Sequence, residues 1–156
     1  MTQSTLQRLK ELTGQLEVSE YNESLASKRL KTVLDAARAG IWDWEVSKDI
    51  LRWDKRMVEL FDYDPLSLPR DKEGWYILKY QNFLDRIHPD DKEKVQKRID
   101  DCLHNNLPYR VTYRIVDRDL EEHLVIQAAG DTHNPHKGEE RLVGVCISLE
   151  VGAAGV

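Results

Sequence analysis

Hydrophobic positions change their spacing several times along the chain, and each change marks an element. Leu6, Leu9, Leu12 and Leu16 recur at helical spacing in a polar stretch without proline, which predicts an amphipathic helix over residues 1–28 with a narrow apolar stripe. Such a stripe cannot build a core alone. It must pack on its own domain or on a second copy of itself. Leu9 and Leu16 lie one heptad apart, and Glu20 and Glu23 interrupt the seam after them. Leu30, Val33, Leu34 and Ala37 then repeat at i, i+3, i+4 and i+7, a second amphipathic segment that stops at Gly40. From Gly40 the period falls to two. Trp42, Trp44 and Val46 alternate with Ile41, Asp43 and Glu45, so two indoles share one face of a strand. Two indoles need a wide apolar surface opposite, which predicts a central strand rather than an edge.

The pattern continues with a turn at Lys48 and Asp49 and a return strand over 50–53. Asp54 is placed to cap a helix with Met57, Leu60 and Phe61 facing inward. Asp64 and Pro65 open a further turn. Residues 70–74 read as loop and 75–84 as partly helical. The run Ile87, His88, Pro89, Asp90, Asp91 opens the longest internal helix, with Asp90 or Asp91 as its cap. Val95, Ile99, Cys102 and Leu103 form its buried stripe, and Asn105 with Asn106 ends it. Period two returns at Tyr109, Val111, Tyr113 and Ile115, then over 124–129. It returns once more over 142–151, with Val143, Val145, Ile147 and Leu149 on one face and a turn at 135–138 between the last two strands. Two strands, then helices, then three strands predict an α+β domain with one antiparallel sheet.

Composition narrows the function. The 156 residues suffice for one domain and a helical extension. A formal charge of −5 argues against nucleic acid as the main partner. No apolar run approaches a membrane span, and no signal-peptide pattern opens the chain. Cys102 and Cys146 are far apart in sequence, have no C-x-x-C neighbour, and read as buried free thiols in a reducing, cytoplasmic setting.

Set in order, Gly40-Ile-Trp-Asp-Trp44, Leu51-Arg-Trp-Asp54, Met57 with Leu60 and Phe61, Phe83-Leu84 before Ile87-His-Pro-Asp-Asp91, Tyr113-Arg-Ile-Val116 and Leu142-Val-Gly-Val-Cys-Ile147 resemble a PAS domain of the branch with a Trp-x-Trp first strand. The resemblance covers about residues 30–151. It implies a PAS fold: a five-stranded antiparallel sheet, its first strand central between the second and the fifth, with helices over one face enclosing a pocket. The expected organisation is a helical extension over 1–29, the PAS domain over 30–151 and a tail over 152–156. The resemblance also implies a sensory, non-catalytic module regulating a histidine kinase or diguanylate cyclase. Some family marks are missing. Asp119 is followed by Leu120 where Asp-Gly is common, and His123 with Leu124 replaces Arg-Trp. Ser148, Leu149 and Glu150 replace the Asp-Ile-Thr exit, so both halves of the usual Asp–Arg output latch are absent. Residues 70–79 look longer than usual, enough for a lid.

Candidate chemistry is sparse. Asp131, His133 and His136 sit in one turn but lack a scaffold and a fourth ligand, so no metal is expected. His104 stands in the region of haem ligation in some PAS sensors but near a helix end, and His88 reads as structural. Cys102 is not in the Asn-Cys-Arg-Phe-Leu-Gln pattern of flavin photosensors. No cofactor is the leading expectation, with haem or flavin behind it. No nucleophile–base pair or phosphate loop shows useful spacing. Small residues at strand period, Ala128 with Gly130 and Gly144 with Cys146, leave room for a ligand if they face the helices. Trp44, Trp53, Tyr113, Gln127, Gly144 and Cys146 are the candidate pocket residues. The expected function is a sensor of a small ligand or partner that signals through the geometry of a homodimer, formed by the N-terminal helix, the sheet or both. The alternative is a ligand-free dimerisation or interaction module, and a haem or flavin redox sensor comes third.

Overall fold

The N-terminal stretch is a single helix, α1 (Gln3–Ala37). The computed structural model describes residues 3–116, 123–134 and 139–149. Between the two predicted amphipathic segments there is no proline or glycine to break a helix, so they fuse, and the expected division after residue 29 falls inside α1. The chain separates into two compact units between Ala37 and Arg38. In the first, Leu6, Leu9, Leu12 and Leu16 are 46–59% exposed.

The second unit begins with a correction. The left-handed residue between α1 and the first strand is Arg38, at φ 52. Gly40 is already in the first strand. A Cβ there would lie 2.7 Å from Met57 Cγ, so its smallness admits the methionine. The elements that follow are β1 (Gly40–Glu45), β2 (Ile50–Trp53), α2 (Lys55–Leu60), a 3₁₀ turn (Pro65–Ser67), β3 (Tyr76–Leu78), α3 (Tyr80–Asp85), α4 (Pro89–Asn105), β4 (Tyr109–Val116), β5 (His123–His133) and β6 (Arg141–Leu149). The sheet order is β3-β2-β1-β6-β5-β4, with every neighbouring pair antiparallel. β1 is central between β2 and the last strand, as the paired indoles required.

The sheet has six strands where five were expected. The extra one, β3, lies in the stretch read as partly helical. Tyr76 and Leu78 are buried and pair in register with Trp53 and Leu51 of β2, and helix begins only at Tyr80. The segment leading to β3 is a closed turn rather than a lid. Asp71 Oδ1 accepts from the backbone N–H groups of Glu73 (3.0 Å) and Trp75 (2.9 Å), and Gly74 supplies φ 93.

The predicted caps of the short helices form. Asp54 Oδ1 accepts from Met57 N at 2.9 Å and Asp64 Oδ1 from Leu66 N at 3.0 Å. The long helix differs: His88, through Nδ1, accepts from Asp90 N at 3.1 Å and is the N-cap of α4, with Pro89 in the first turn. Asp91 is thereby released to reach β4. It takes Arg114 in a two-oxygen fork, Nε to Oδ2 and Nη2 to Oδ1, both at 2.9 Å. Asn106 closes α4 in the left-handed conformation, φ 58.

The core lies between one face of the sheet and α2, α3 and α4. Trp53, Met57, Phe61, Val95, Tyr113, Ile126 and Cys146 are all essentially inaccessible. The opposite face carries charge over β1, β2 and β6. Arg141 bonds Asp43 (3.0 Å) and Glu45 (2.6 Å), and Arg52 bonds Glu45 (2.7 Å). Burial raises the Asp43 carboxyl above its ordinary value, against the pull of Arg141 and Arg52. The predicted Asp119–Leu120 turn, His136, Glu150, the 135–138 turn and the tail lie outside the described residues, as does the side chain of His123.

Candidate functional site

Between the sheet and the helices lies a cavity of about 30 Å³, walled by side chains from α2, α3, α4 and every strand but β3. Period-two alternation on β4 turns both Tyr109 and Tyr113 to this side, where they are 2% and 1% exposed. Trp42 and Trp44 enter from β1, Trp53 from β2, Met57 from α2, Tyr80 and Phe83 from α3, and Ile99 from α4. Aromatic rings form most of the wall. Trp53 packs on Phe61 at 4.7 Å, Phe83 meets Tyr113 edge-on at 6.0 Å, and Trp42 meets Tyr109 edge-on at 5.7 Å.

The polar atoms of the wall are few. Tyr113 Oη and Cys146 Sγ are 3.6 Å apart. The Trp42 indole N–H also faces the Cys146 sulfur, an interaction that favours the thiolate. Burial pushes the Cys146 thiol up to about 12, and raises Tyr109 and Tyr113 well above the ordinary phenol range. A thiol held protonated is a poor nucleophile and a poor metal ligand.

Of the six residues expected to surround a ligand, Trp44, Trp53, Tyr113 and Cys146 line this cavity. Gln127 does not. It is exposed on the other face of the sheet, opposite Thr112 of β4 and near Arg98 and Arg110. Gly144 is inward but leaves no room, because Trp42 occupies it. Gly144 and Gly130 are partners across β5 and β6. A Cβ on the first would lie 2.4 Å from Trp42 Cζ2, and on the second 2.7 Å from Trp42 Cη2. The two glycines are the bed of an indole. Trp42, 7% exposed, is also deeper than Trp44, which is only partly buried. Sequence reasoning missed Trp42, Met57, Tyr80, Phe83, Ile99 and Tyr109 as wall residues. The alternation that places Trp44 and Tyr113 applies equally to Trp42 and Tyr109.

The cofactor alternatives do not match this geometry. His104 is exposed in the last turn of α4, and a cavity of about 30 Å³ has space for a water-sized guest, not for a haem or an isoalloxazine. Asp131 and His133 are exposed near the end of β5, and among the described residues no three metal-ligating side chains stand together. No helix among the described residues is long and apolar enough to cross a membrane.

Comparison with known proteins gives one consistent picture. The sequence profile of the family described as PAS fold matches residues 50–146. A probable diguanylate cyclase of Escherichia coli K12, DgcE, is 29% identical over 137 residues; the aligned region is 87% of this chain but 11% of that protein. A sensory box histidine kinase/response regulator from Burkholderia thailandensis is similar in structure, with a TM-score of 0.62 at 24% identity over 78% of this chain and 84% of that one. The N-terminal domain of a diguanylate cyclase with PAS/PAC sensor from Marinobacter aquaeolei superposes with a TM-score of 0.55 at 17% identity, over 70% and 94% of the two chains.

Proposed function

The chain belongs to the PAS fold family, and from this premise we propose that it is a sensory module of bacterial-type signalling, non-catalytic itself, that regulates an effector of diguanylate cyclase or histidine kinase type. Its input is a small, mainly apolar molecule held between the sheet and the helices. The observation that carries this reading is the cavity, whose walls are aromatic and aliphatic and whose few polar atoms include Tyr113 Oη and Cys146 Sγ. A guest gains from burying apolar surface, at roughly 25 cal/mol per Å². The effector class is supported by the names of the relatives, two of which are diguanylate cyclases and one a histidine kinase. The output is a change in the geometry of a homodimer. The exposed leucines of α1 support a self-association seam, and the missing Asp–Arg latch favours coupling through this helix over the last strand.

A second reading, a ligand-free dimerisation or interaction module, is favoured by one number. A cavity of about 30 Å³ is far below the ordinary range for a small-molecule pocket, roughly 300–1,000 Å³, so any guest larger than water requires wall movement. Native mass spectrometry of the protein purified from cells separates the two. Sensing predicts a retained small molecule on the wild type that disappears in Ala128→Leu, which fills the cavity. Bare masses for both proteins, with no melting shift across a panel of small apolar compounds, would select the ligand-free module.

A further inference from the structure

The cavity meets solvent on one side only. Its wall residues are buried except for three, Trp44, Tyr80 and Phe83, which are partly exposed. A guest must therefore pass these rings. Trp44 on β1 and Tyr80 on α3 lie almost flat on each other, with centroids 4.7 Å apart and planes at 17°. Tyr80 in turn packs on Phe83 at 5.9 Å. The two stacked rings come from elements that do not pair in the sheet, and one atom joins them. Asp49 Oδ1 accepts from Trp44 Nε1 at 3.0 Å and from the backbone N–H of Tyr80 at 3.0 Å. Lys79 Nζ adds a 3.1 Å bond to the Asp49 carbonyl. Asp49 holds this position with φ 51, a left-handed conformation that aspartate tolerates better than most residues but glycine tolerates best.

We propose that Asp49 is the latch of an aromatic gate, formed by Trp44 and Tyr80, that controls access of small apolar molecules to the cavity. The gate rests on the reading of that cavity as the sensory site. Closed, the stack seals the apolar wall. Opened, the Trp44 indole rotates off Tyr80 while its backbone stays in β1 and Tyr80 stays with α3. Both hydrogen bonds converge on a single carboxylate oxygen, so one substitution uncouples the Trp44 ring from the start of α3. Asp49→Gly keeps the turn, because glycine accepts the positive φ, and deletes the latch. Asp49→Asn keeps an acceptor oxygen in place and should preserve it.

The test uses the full chain and xenon as the apolar probe, read by methyl NMR at Met57 and Ile99 and by hydrogen exchange of the Trp44 indole N–H. In the wild type, xenon shifts the Met57 and Ile99 methyls with slow on–off exchange. In Asp49→Gly, xenon exchange and Trp44 indole exchange both speed up by roughly tenfold or more, the factor expected for losing one hydrogen bond to a charged acceptor. Asp49→Asn stays near the wild type in both. Should Asp49→Gly fail to fold, Trp44→Phe deletes the same donor without touching the turn and should move xenon exchange in the same direction. Methyl shifts with unchanged exchange rates in the latch variants would overturn the gate and leave the cavity reading standing. No methyl shift in any variant would overturn both.

Discussion

Asp91 offers a quantitative test of how the cavity's outer wall is held. Its carboxylate joins the first turn of α4 to β4 through Arg114 Nε, Nη2 and backbone N, at 2.8–2.9 Å. It thereby sets the position of the helix that brings Ile99 to the cavity. The Arg114 guanidinium lowers the Asp91 carboxyl from 3.8 to about 2, against the opposing effect of burial. As pH falls, the unfolded chain takes up this proton first. The stabilisation is therefore complete above about pH 5 and lost as the pH drops through 4 towards 2. The shift corresponds to no more than about 2 kcal/mol, and the 39% exposure of the Arg114 side chain reduces this, by solvent screening, to roughly 1–2 kcal/mol. Urea unfolding of the wild type and Asp91→Asn at pH 7, 5, 3.5 and 2.5 measures it. The stability gap should be about 1–2 kcal/mol at pH 7 and shrink to about a third of that at pH 2.5, the other carboxyls cancelling in the difference. A gap that is constant across the series would mean that the ion pair does not hold α4 to β4.

Two further outcomes follow from the packing. Gly144→Ala puts a Cβ 2.1 Å from the Ala129 carbonyl oxygen and 2.4 Å from the Trp42 ring; it should destabilise by roughly 1–3 kcal/mol and red-shift the tryptophan emission, whereas an unchanged melting temperature would remove Trp42 from its glycine bed. Replacing Leu9 and Leu16 of α1 with glutamate in the full chain should abolish the proposed self-association in sedimentation velocity, and a dimer of wild-type affinity would move the proposed contact to the sheet.

The framework was readable because its periods are long. Eight residues of alternation in β4 and the Trp-x-Trp of β1 define faces unambiguously, and Asp54 and Asp64 cap where their side-chain chemistry demands. What stayed hidden depends on distance across the fold. β3 has three residues, too few to show a period. Alternation says that Trp42 and Trp44 share a face but not which lies deeper; depth comes from the neighbour in register, glycine beneath one and the edge of α3 beside the other. Gly144 looked like empty space because the residue that fills it is on another strand. Gln127 is one position from Ala128, and a face assignment wrong by one residue carries a side chain through the sheet. His88 displaced Asp90 and Asp91 as the cap of α4 because Asp91 has a stronger partner 23 positions later, Arg114, which no local window contains.

In the proposed function the signal enters through the cavity rather than over the outer face of the sheet. Methyl spectra recorded against a panel of small apolar compounds test it directly, because Met57 and Ile99 line the cavity while Val143 and Val145 lie on the opposite face. The expected result is at least one compound that shifts Met57 and Ile99 saturably and leaves Val143 and Val145 in place. Shifts confined to Val143 and Val145, or none with any compound, would contradict it.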